Sequence, residues 1–290
     1  TTDLHVVIRN EGVAPGILRL VVGGGAAQPV QPGQFHMLKT EAPEPLLPRP
    51  LSIHDVDGDA MSFLYEVKGA GTRAIGALGP GDRIRVTGPL GRGFDVDDLQ
   101  GRILLVAGGI GIAPFRYLAR ALAAAGRGRV TLAAGFRGPP YGIGDFDGLV
   151  DDVRIATEDG SAGVRGRVTA LYRPQDFDVV VACGPVPMMR AVQQACRDAG
   201  TRAVLSMEAR MACGIGACLG CTTQTTTGMR RVCTDGPVFP ADEYPGVFRA
   251  FLERGVLLSP VYPGPSILPG EASGGERRLV VSLFHSIPGG

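Results

Sequence analysis

Ile103-Leu-Leu-Val-Ala-Gly-Gly-Ile-Gly-Ile-Ala-Pro-Phe115, continuing through an Ala-rich run to Ala125 and Gly126, is the stretch from which the fold can be read. Ile103 to Ala107 is a short, unbroken apolar run, as expected of a parallel strand buried on both faces. The glycine turn Gly108-Gly109-Ile110-Gly111-Ile112-Ala113-Pro114 follows, and Phe115 to Ala125 reads as a helix stopped by Gly126. Strand, glycine turn and helix together make a βα unit whose helix N-terminus can face an anion. The turn departs from the GxGxxG fingerprint, and tight turns use glycine for their own reasons.

Downstream, the same grammar repeats. Val130 to Ala134, Val153 to Ala156 and Val179 to Ala182 supply further buried strands. The last runs into Cys183-Gly184-Pro185, and a helix from about Pro187 to Ala199 closes at Gly200. Ligands of open parallel sheets lie at the carboxyl ends of strands, where both glycine motifs stand. Cys183 thus has two readings, a side chain beside a nicotinamide or a small buried apolar residue. Cys196, inside the helix, is read as buried packing.

Upstream of residue 101 the pattern is different. Leu4 to Ile8, Ile17 to Val22, Phe35 to Leu38, Phe63 to Val67 and Ile84 to Val86 are short strand-like runs divided by Gly and Pro turns. Many short strands at modest spacing predict a closed antiparallel barrel. Two stretches in it could meet a phosphate or flavin. Arg49-Pro50-Leu51-Ser52-Ile53 joins a planar charged fork to a hydroxyl, and Lys68-Gly69-Ala70-Gly71-Thr72 offers a loop whose backbone can approach a ligand. A surface ion pair for Arg49 and a hairpin turn at Gly69 to Gly71 are the plainer alternatives.

Near the other end stands Cys213-Gly-Ile-Gly-Ala-Cys218-Leu-Gly-Cys221, with Cys233 further on. Cys-x4-Cys-x2-Cys with a distant fourth Cys is the plant-type ligand pattern of a 2Fe-2S cluster. A tetrahedral zinc site would show two pairs of closely spaced Cys, and buried structural thiols remain a further alternative. Thr222 to Thr227, a turn at Gly228 and Arg231 to Cys233 predict a hairpin that returns the fourth Cys to the first three. Glu208, Arg210 and Asp235 flank the loop; they could tune its potential or form a docking surface, and solvated loop charges are the plainer reading.

The 290 residues suffice for two ordinary domains and a small module, and 44% hydrophobic against 20% charged composition predicts a globular chain. Lys plus Arg number 29 and Asp plus Glu 28, so no basic field draws nucleic acid or an anionic membrane. The opening residues lack a leader pattern and no run of eighteen apolar residues occurs, which reads as a cytoplasmic protein. With six Cys, four in a metal pattern, a reducing compartment fits better than a disulfide framework. Beyond residue 244, Pro-rich sequence allows a short helix at Val247 to Leu258 and a strand at Leu279 to Phe284.

Arg49-Pro50-Leu51-Ser52, Gly71-Thr72, Gly88-Pro89-Leu90-Gly91-Arg92-Gly93-Phe94, the Gly108 to Pro114 turn, Cys183-Gly184-Pro185 and the cysteine loop ending Cys233-Thr-Asp-Gly-Pro-Val-Phe239 together resemble one family. It is the electron-transfer subunit of NAD-dependent, two-subunit (class 1B) dihydroorotate dehydrogenase, in the ferredoxin reductase superfamily. The resemblance covers about residues 4 to 243. It implies FAD bound by Arg49, Pro50, Leu51, Ser52, Gly71 and Thr72, and flavin contact at Leu64, Tyr65 and Glu66. Glu66 stands where the family often has a basic residue. It implies NAD at Gly108, Gly109, Gly111, Cys183, Gly184 and Pro185, and a 2Fe-2S cluster on Cys213, Cys218, Cys221 and Cys233.

The implied architecture is an α+β multidomain chain. A Greek-key FAD barrel occupies residues 1–98, a parallel α/β nucleotide domain 99–205, and a 2Fe-2S module 206–243, with an extension at 244–290. The implied partner is an FMN-containing catalytic subunit, in a heterotetramer of two catalytic and two electron-transfer subunits serving pyrimidine biosynthesis. No side chain here is assigned acid–base or nucleophilic catalysis. A stand-alone NAD(P)H reductase of a soluble carrier or oxygenase, and a non-enzymatic redox or iron sensor, are the rival readings. Arg137, after the second nucleotide-domain strand, is a lone cation where NADP would need several, which favours NAD. The uncharged residues Ile215, Ala217 and Leu219 between the cysteines predict a surface covered by the partner. A tail folded over that loop through Val256 to Leu258 is the alternative.

Overall fold

Eight elements precede residue 91 in a computed structural model that describes residues 1–24 and 29–244. They are β1 (Thr2–Ala14), β2 (Ile17–Gly23), β3 (Phe35–Thr40), β4 (Arg49–Ser52), β5 (Asp55–Asp57), β6 (Ala60–Glu66), α1 (Ala70–Gly76) and β7 (Arg83–Leu90). The strands form one antiparallel sheet in the order β4-β3-β7-β1-β2-β6-β5. Its two ends are one piece of chain. Ile53 N–H still donates to Gln34 next to β3, whereas His54 N–H already donates to Ser62 on β6. The stretch from Arg49 to Asp57 therefore passes from one edge to the other and closes the sheet into a barrel.

Inside the barrel pack Leu20, Val22, Leu38, Ile53, Phe63 and Ile84, all fully buried. The alternation of β7 follows expectation, with Ile84 and Val86 buried and Arg83 and Arg85 exposed. In β1 it is inverted. Leu4, Val6 and Ile8 face outward, while His5 and Val7 are buried.

The second sheet comprises β8 (Gly101–Gly108), β9 (Gly128–Phe136), β10 (Asp152–Thr157), β11 (Val164–Arg165), β12 (Val179–Cys183) and β13 (Arg202–Ser206). These strands are parallel, in the order β11-β10-β9-β8-β12-β13. Helix α2 (Phe115–Ala125) and helix α3 (Val186–Ala199) both end on a left-handed glycine, Gly126 and Gly200. Helix α2 packs with Ile103, Leu105 and Ala107 on one face, and α3 with Leu104, Val106 and Val180 on the other. The strand order reverses between β8 and β12, which makes their carboxyl ends the topological switch point.

The remaining described chain forms β14 (Thr222–Thr225), β15 (Gly228–Arg231) and β16 (Val238–Pro240). The expected hairpin is present as the β14–β15 pair, but it turns at Thr226 and Thr227, and Gly228 already pairs with Thr225 as the first residue of β15. β16 was not foreseen. It adds to β13 as an antiparallel edge strand of the nucleotide sheet, so the cysteine loop is tied at both ends to that sheet. Among the described residues no helix is long and apolar enough to cross a membrane. The helix expected at Val247 to Leu258, the strand at Leu279 to Phe284 and the contact of Val256 to Leu258 with the loop lie outside the described residues.

Candidate functional site

Arg49 opens β4 and points its guanidinium at α1. A Cβ built on Gly71 would fall 2.0 Å from Arg49 Nε, so these two motifs, distant in sequence, share one space. Arg49 Nη1 donates to the carbonyls of Leu47 and Pro48, and among the described residues it makes no ion pair. The stretch Gly69 to Thr72 differs from the expected loop. It is the first turn of α1, and the Thr72 hydroxyl accepts from the N–H groups of Lys68 and Gly69 and donates to Gly69 O. Thr72 thus shapes the turn, while Gly71 makes room for Arg49.

At the switch point the two glycine motifs pack backbone on backbone. A Cβ on Gly111 would lie 2.2 Å from Cys183 O, and one on Gly184 would lie 3.0 Å from Gly108 Cα. No side chain fits between these turns. Residues Gly109–Ile112 are a short 3-10 turn instead of an open loop, with Gly109 at φ 53°. Cys183 is buried at the end of β12, and burial, helped by nearby Glu208, pushes its thiol well up. It stays a neutral thiol.

A cavity of about 240 Å³ opens where three parts of the chain meet. The barrel contributes Pro50, Leu51, Ser52, Leu64, Tyr65 and Glu66, and the switch point contributes Ile110, Ala113, Pro114 and Cys183. Met207, Glu208, Ala209, Met211 and Pro237 line it from the segments around the cysteine loop. Of the residues expected at the cofactors, Arg49, Gly71, Thr72, Gly108, Gly109, Gly111, Gly184 and Pro185 do not line the cavity.

A polar seam that sequence reasoning missed holds the barrel against the nucleotide sheet. His54, buried, donates from Nδ1 to Ala113 O at 2.8 Å, and its Nε2 lies 3.3 Å from Asp145 Oδ2. Burial works against ionising Asp145, but His54 and Arg19 outweigh it and hold its carboxyl below the ordinary range. Asp55 takes Arg116 and Arg120 of α2, each at 2.8 Å. These residues come from separate elements, and no local pattern marks them.

The cysteine loop lies on the barrel. A Cβ on Gly214 would meet Met37 Cγ at 2.6 Å, and Cys221, Cys233, Phe239 and Tyr244 share a core with Phe35 and Met37. The two remaining sequence motifs also meet, since a Cβ on Gly91 would fall 2.5 Å from Gly236 O and Arg92 N–H donates to that oxygen. Within the loop the thiols sort into two pairs. Cys218 N–H points to Cys213 Sγ, and Cys233 N–H to Cys221 Sγ, both at 3.4 Å. Burial resists ionising Cys213, but the N–H groups of Ile215, Ala217 and Cys218 bring it down to about 7. Burial and the neighbouring Cys221 push Cys233 up to about 12.

Among the described residues no three His, Cys, Asp or Glu side chains close on a single ion. Two thiol pairs with inward N–H groups suit a two-iron cluster, which takes two thiolates at each iron, better than one tetrahedral zinc. Gly214 and Gly216 have positive φ and free those N–H groups to turn inward. Leu219, at φ 59°, is the one positive-φ residue other than glycine among the described residues. It and Ile215 are 61% and 60% exposed.

Comparison with known proteins agrees with this geometry. The family model for the iron-sulfur cluster binding domain of dihydroorotate dehydrogenase B matches residues 208–244. The dihydroorotate dehydrogenase B (NAD(+)) electron transfer subunit of Clostridium acetobutylicum is 43% identical over 82% of this chain and 94% of its own length. Its counterpart in Listeria monocytogenes serotype 4a is 40% identical over 83% and 98%. Among solved structures, one of an NADH-dependent reduced ferredoxin-NADP oxidoreductase superposes with TM-score 0.76 at 27% identity, covering 88% of this chain and 93% of the other. A ferredoxin NADP+ reductase from Neisseria gonorrhoeae shares the fold, with TM-score 0.58 at 15% identity over 69% and 92%.

Proposed function

The chain belongs to the family of electron transfer subunits of dihydroorotate dehydrogenase B (NAD(+)), and from that premise we propose that it passes electrons from the FMN of a catalytic subunit to NAD. A 2Fe-2S cluster exchanges single electrons, nicotinamide exchanges a hydride, and FAD converts between the two. The observation that carries this reading is the cavity, whose wall is shared by the barrel edge, the switch point and the segment leading to the cysteines. We assign FAD to Arg49, Pro50, Leu51, Ser52, Leu64, Tyr65 and Glu66, with Gly71 and Thr72 holding Arg49 and its turn in place. NAD is assigned to the glycine turns at Gly108, Gly109 and Gly111 and at Cys183, Gly184 and Pro185. The cluster is assigned to Cys213, Cys218, Cys221 and Cys233.

In this reading residues 1–98, 99–205 and 206–243 act as flavin, nucleotide and cluster units, and 244–290 as an extension. The apolar exposed pair Ile215 and Leu219 is the face offered to the catalytic subunit, in a cytoplasmic heterotetramer of two subunits of each kind. The experiment is purification of the full chain alone and with an FMN-binding partner encoded beside it. The chain should carry FAD and about two irons with acid-labile sulfide. Zinc without sulfide would overturn the cluster assignment. A chain that reduces dyes from NADH yet neither binds such a partner nor supports its turnover would be a stand-alone reductase. One that holds its cofactors without turnover would be a sensor.

A further inference from the structure

Electrons and protons cannot take the same road in this protein. Oxidation of dihydroorotate releases two electrons and two protons, and a 2Fe-2S cluster conducts only the electrons. FAD held in this cavity would hand NAD a hydride, which is two electrons with one proton, so for every electron pair the cluster delivers one proton would have to enter the cavity from solvent.

Five residues in the cavity wall carry titratable side chains, and four are unsuited to exchange. Tyr65 donates its hydroxyl to Asn10 at 3.0 Å, and burial raises the phenol to about 12. Cys183 is buried, with its thiol pushed well up. Glu66 and Lys68 are engaged with one another at 2.8 Å. Glu208 remains. Among the described residues it makes no ion pair, and it is exposed while also lining the cavity. Desolvation of the carboxyl, with Lys68 opposing and Glu66 adding, moves it above the ordinary carboxylate range.

We propose that Glu208 is the proton port of the flavin site, taking a proton from water and delivering it into the cavity as electrons arrive from the cluster. Its position supports that role. Glu208 follows β13 by two residues and leads into the cysteine loop, and Met207 N–H is anchored on Pro237 O at 2.8 Å. The inference rests on the proposed assignment of FAD to this cavity.

The test uses the full chain loaded with FAD and cluster. Electrons are delivered singly by photoreduction, with an indicator dye reporting proton uptake, and separately as hydride from NADH, which brings its own hydrogen. In Glu208→Gln, proton uptake on photoreduction should slow at least about tenfold, and the hydride arm should lose much less. The pH profile of photoreduction should lose its inflection, and the reduced-minus-oxidised infrared difference should lose a carboxyl band. Glu208→Asp should recover part of the rate, because an acid remains; it also carries the comparison if the Gln variant fails to hold FAD. Unchanged proton uptake in the Gln variant, equal slowing of both arms, or equal losses for Asp and Gln would overturn the proposal. If the wild-type chain retains neither FAD nor iron, the proposed function fails first and this inference falls with it. If it retains both and only the split is missing, the role of Glu208 alone is wrong.

Discussion

The guanidinium of Arg49 occupies the volume that a side chain at Gly71 would need, with Nε only 2.0 Å from where a Cβ would stand. That contact joins the barrel edge to helix α1 and leaves Arg49 without a carboxylate partner among the described residues. A guanidinium is the far end of a flexible chain, so Gly71→Ala should fold with Arg49 swung aside. We expect FAD affinity to fall about tenfold or more, the worth of one charge-assisted bond, with little change in Tm. Fluorescence titration of FAD into the apoprotein checks this; unchanged affinity would remove Arg49 from the flavin site.

Leu219 holds a left-handed backbone that glycine would adopt without strain, and its exposed side chain makes no compensating burial. Glycine there should relax the loop, by about 1 kcal/mol. If the leucine is kept for the partner, Leu219→Gly should retain iron yet weaken subunit association at least about tenfold. Leu219→Glu should cut dihydroorotate-to-NAD turnover far more than NADH-to-dye reduction. Association as tight as wild type in the glycine variant would place the docking face elsewhere.

His36 is buried in the barrel on the edge of Phe63, and among the described residues its Nδ1 has no hydrogen-bond partner. Burial, with His5 and the N-terminus adding, lowers its pKa from 6.5 to about 4. Between those values the unfolded chain holds a proton that the folded chain refuses. The stability in question is therefore full above pH 6.5 and is lost as pH falls towards 4, about 3 kcal/mol in all. Urea titrations of His36→Leu across this window should show a flatter pH dependence than wild type. Parallel slopes would mean that another group controls acid stability.

Nucleotide choice is the fourth expectation. Arg137 follows β9, its carbonyl accepts from Asp159 N–H, and Glu158 and Asp159 follow the neighbouring strand β10, with Arg165 beside Gly160 at the same turn. Acidic residues after that strand suit a ribose hydroxyl better than a 2′-phosphate. The apparent KM for NADPH should exceed that for NADH by about tenfold or more; the reverse order would show that the 2′-phosphate is accommodated.

Local order accounts for the parts of the fold that were legible before folding. The β8–turn–α2 unit, the helix ending at Gly200, the β14–β15 hairpin and the Cys-x4-Cys-x2-Cys loop all rest on neighbours a few residues apart, where apolar period, glycine φ and ligand spacing act directly. Tertiary structure decided whatever depends on distant partners. It turned Leu4, Val6 and Ile8 outward, because alternation says that faces differ but not which one is covered. It put β16 on the edge of the nucleotide sheet, spent the Thr72 hydroxyl within α1, and joined His54 to Asp145 across the seam. It also brought Glu208 to the wall shared with Ser52 and Cys183. Packing chooses such neighbours only once the chain has closed, and so a charge that reads as solvated in the sequence can stay exposed and still line the site.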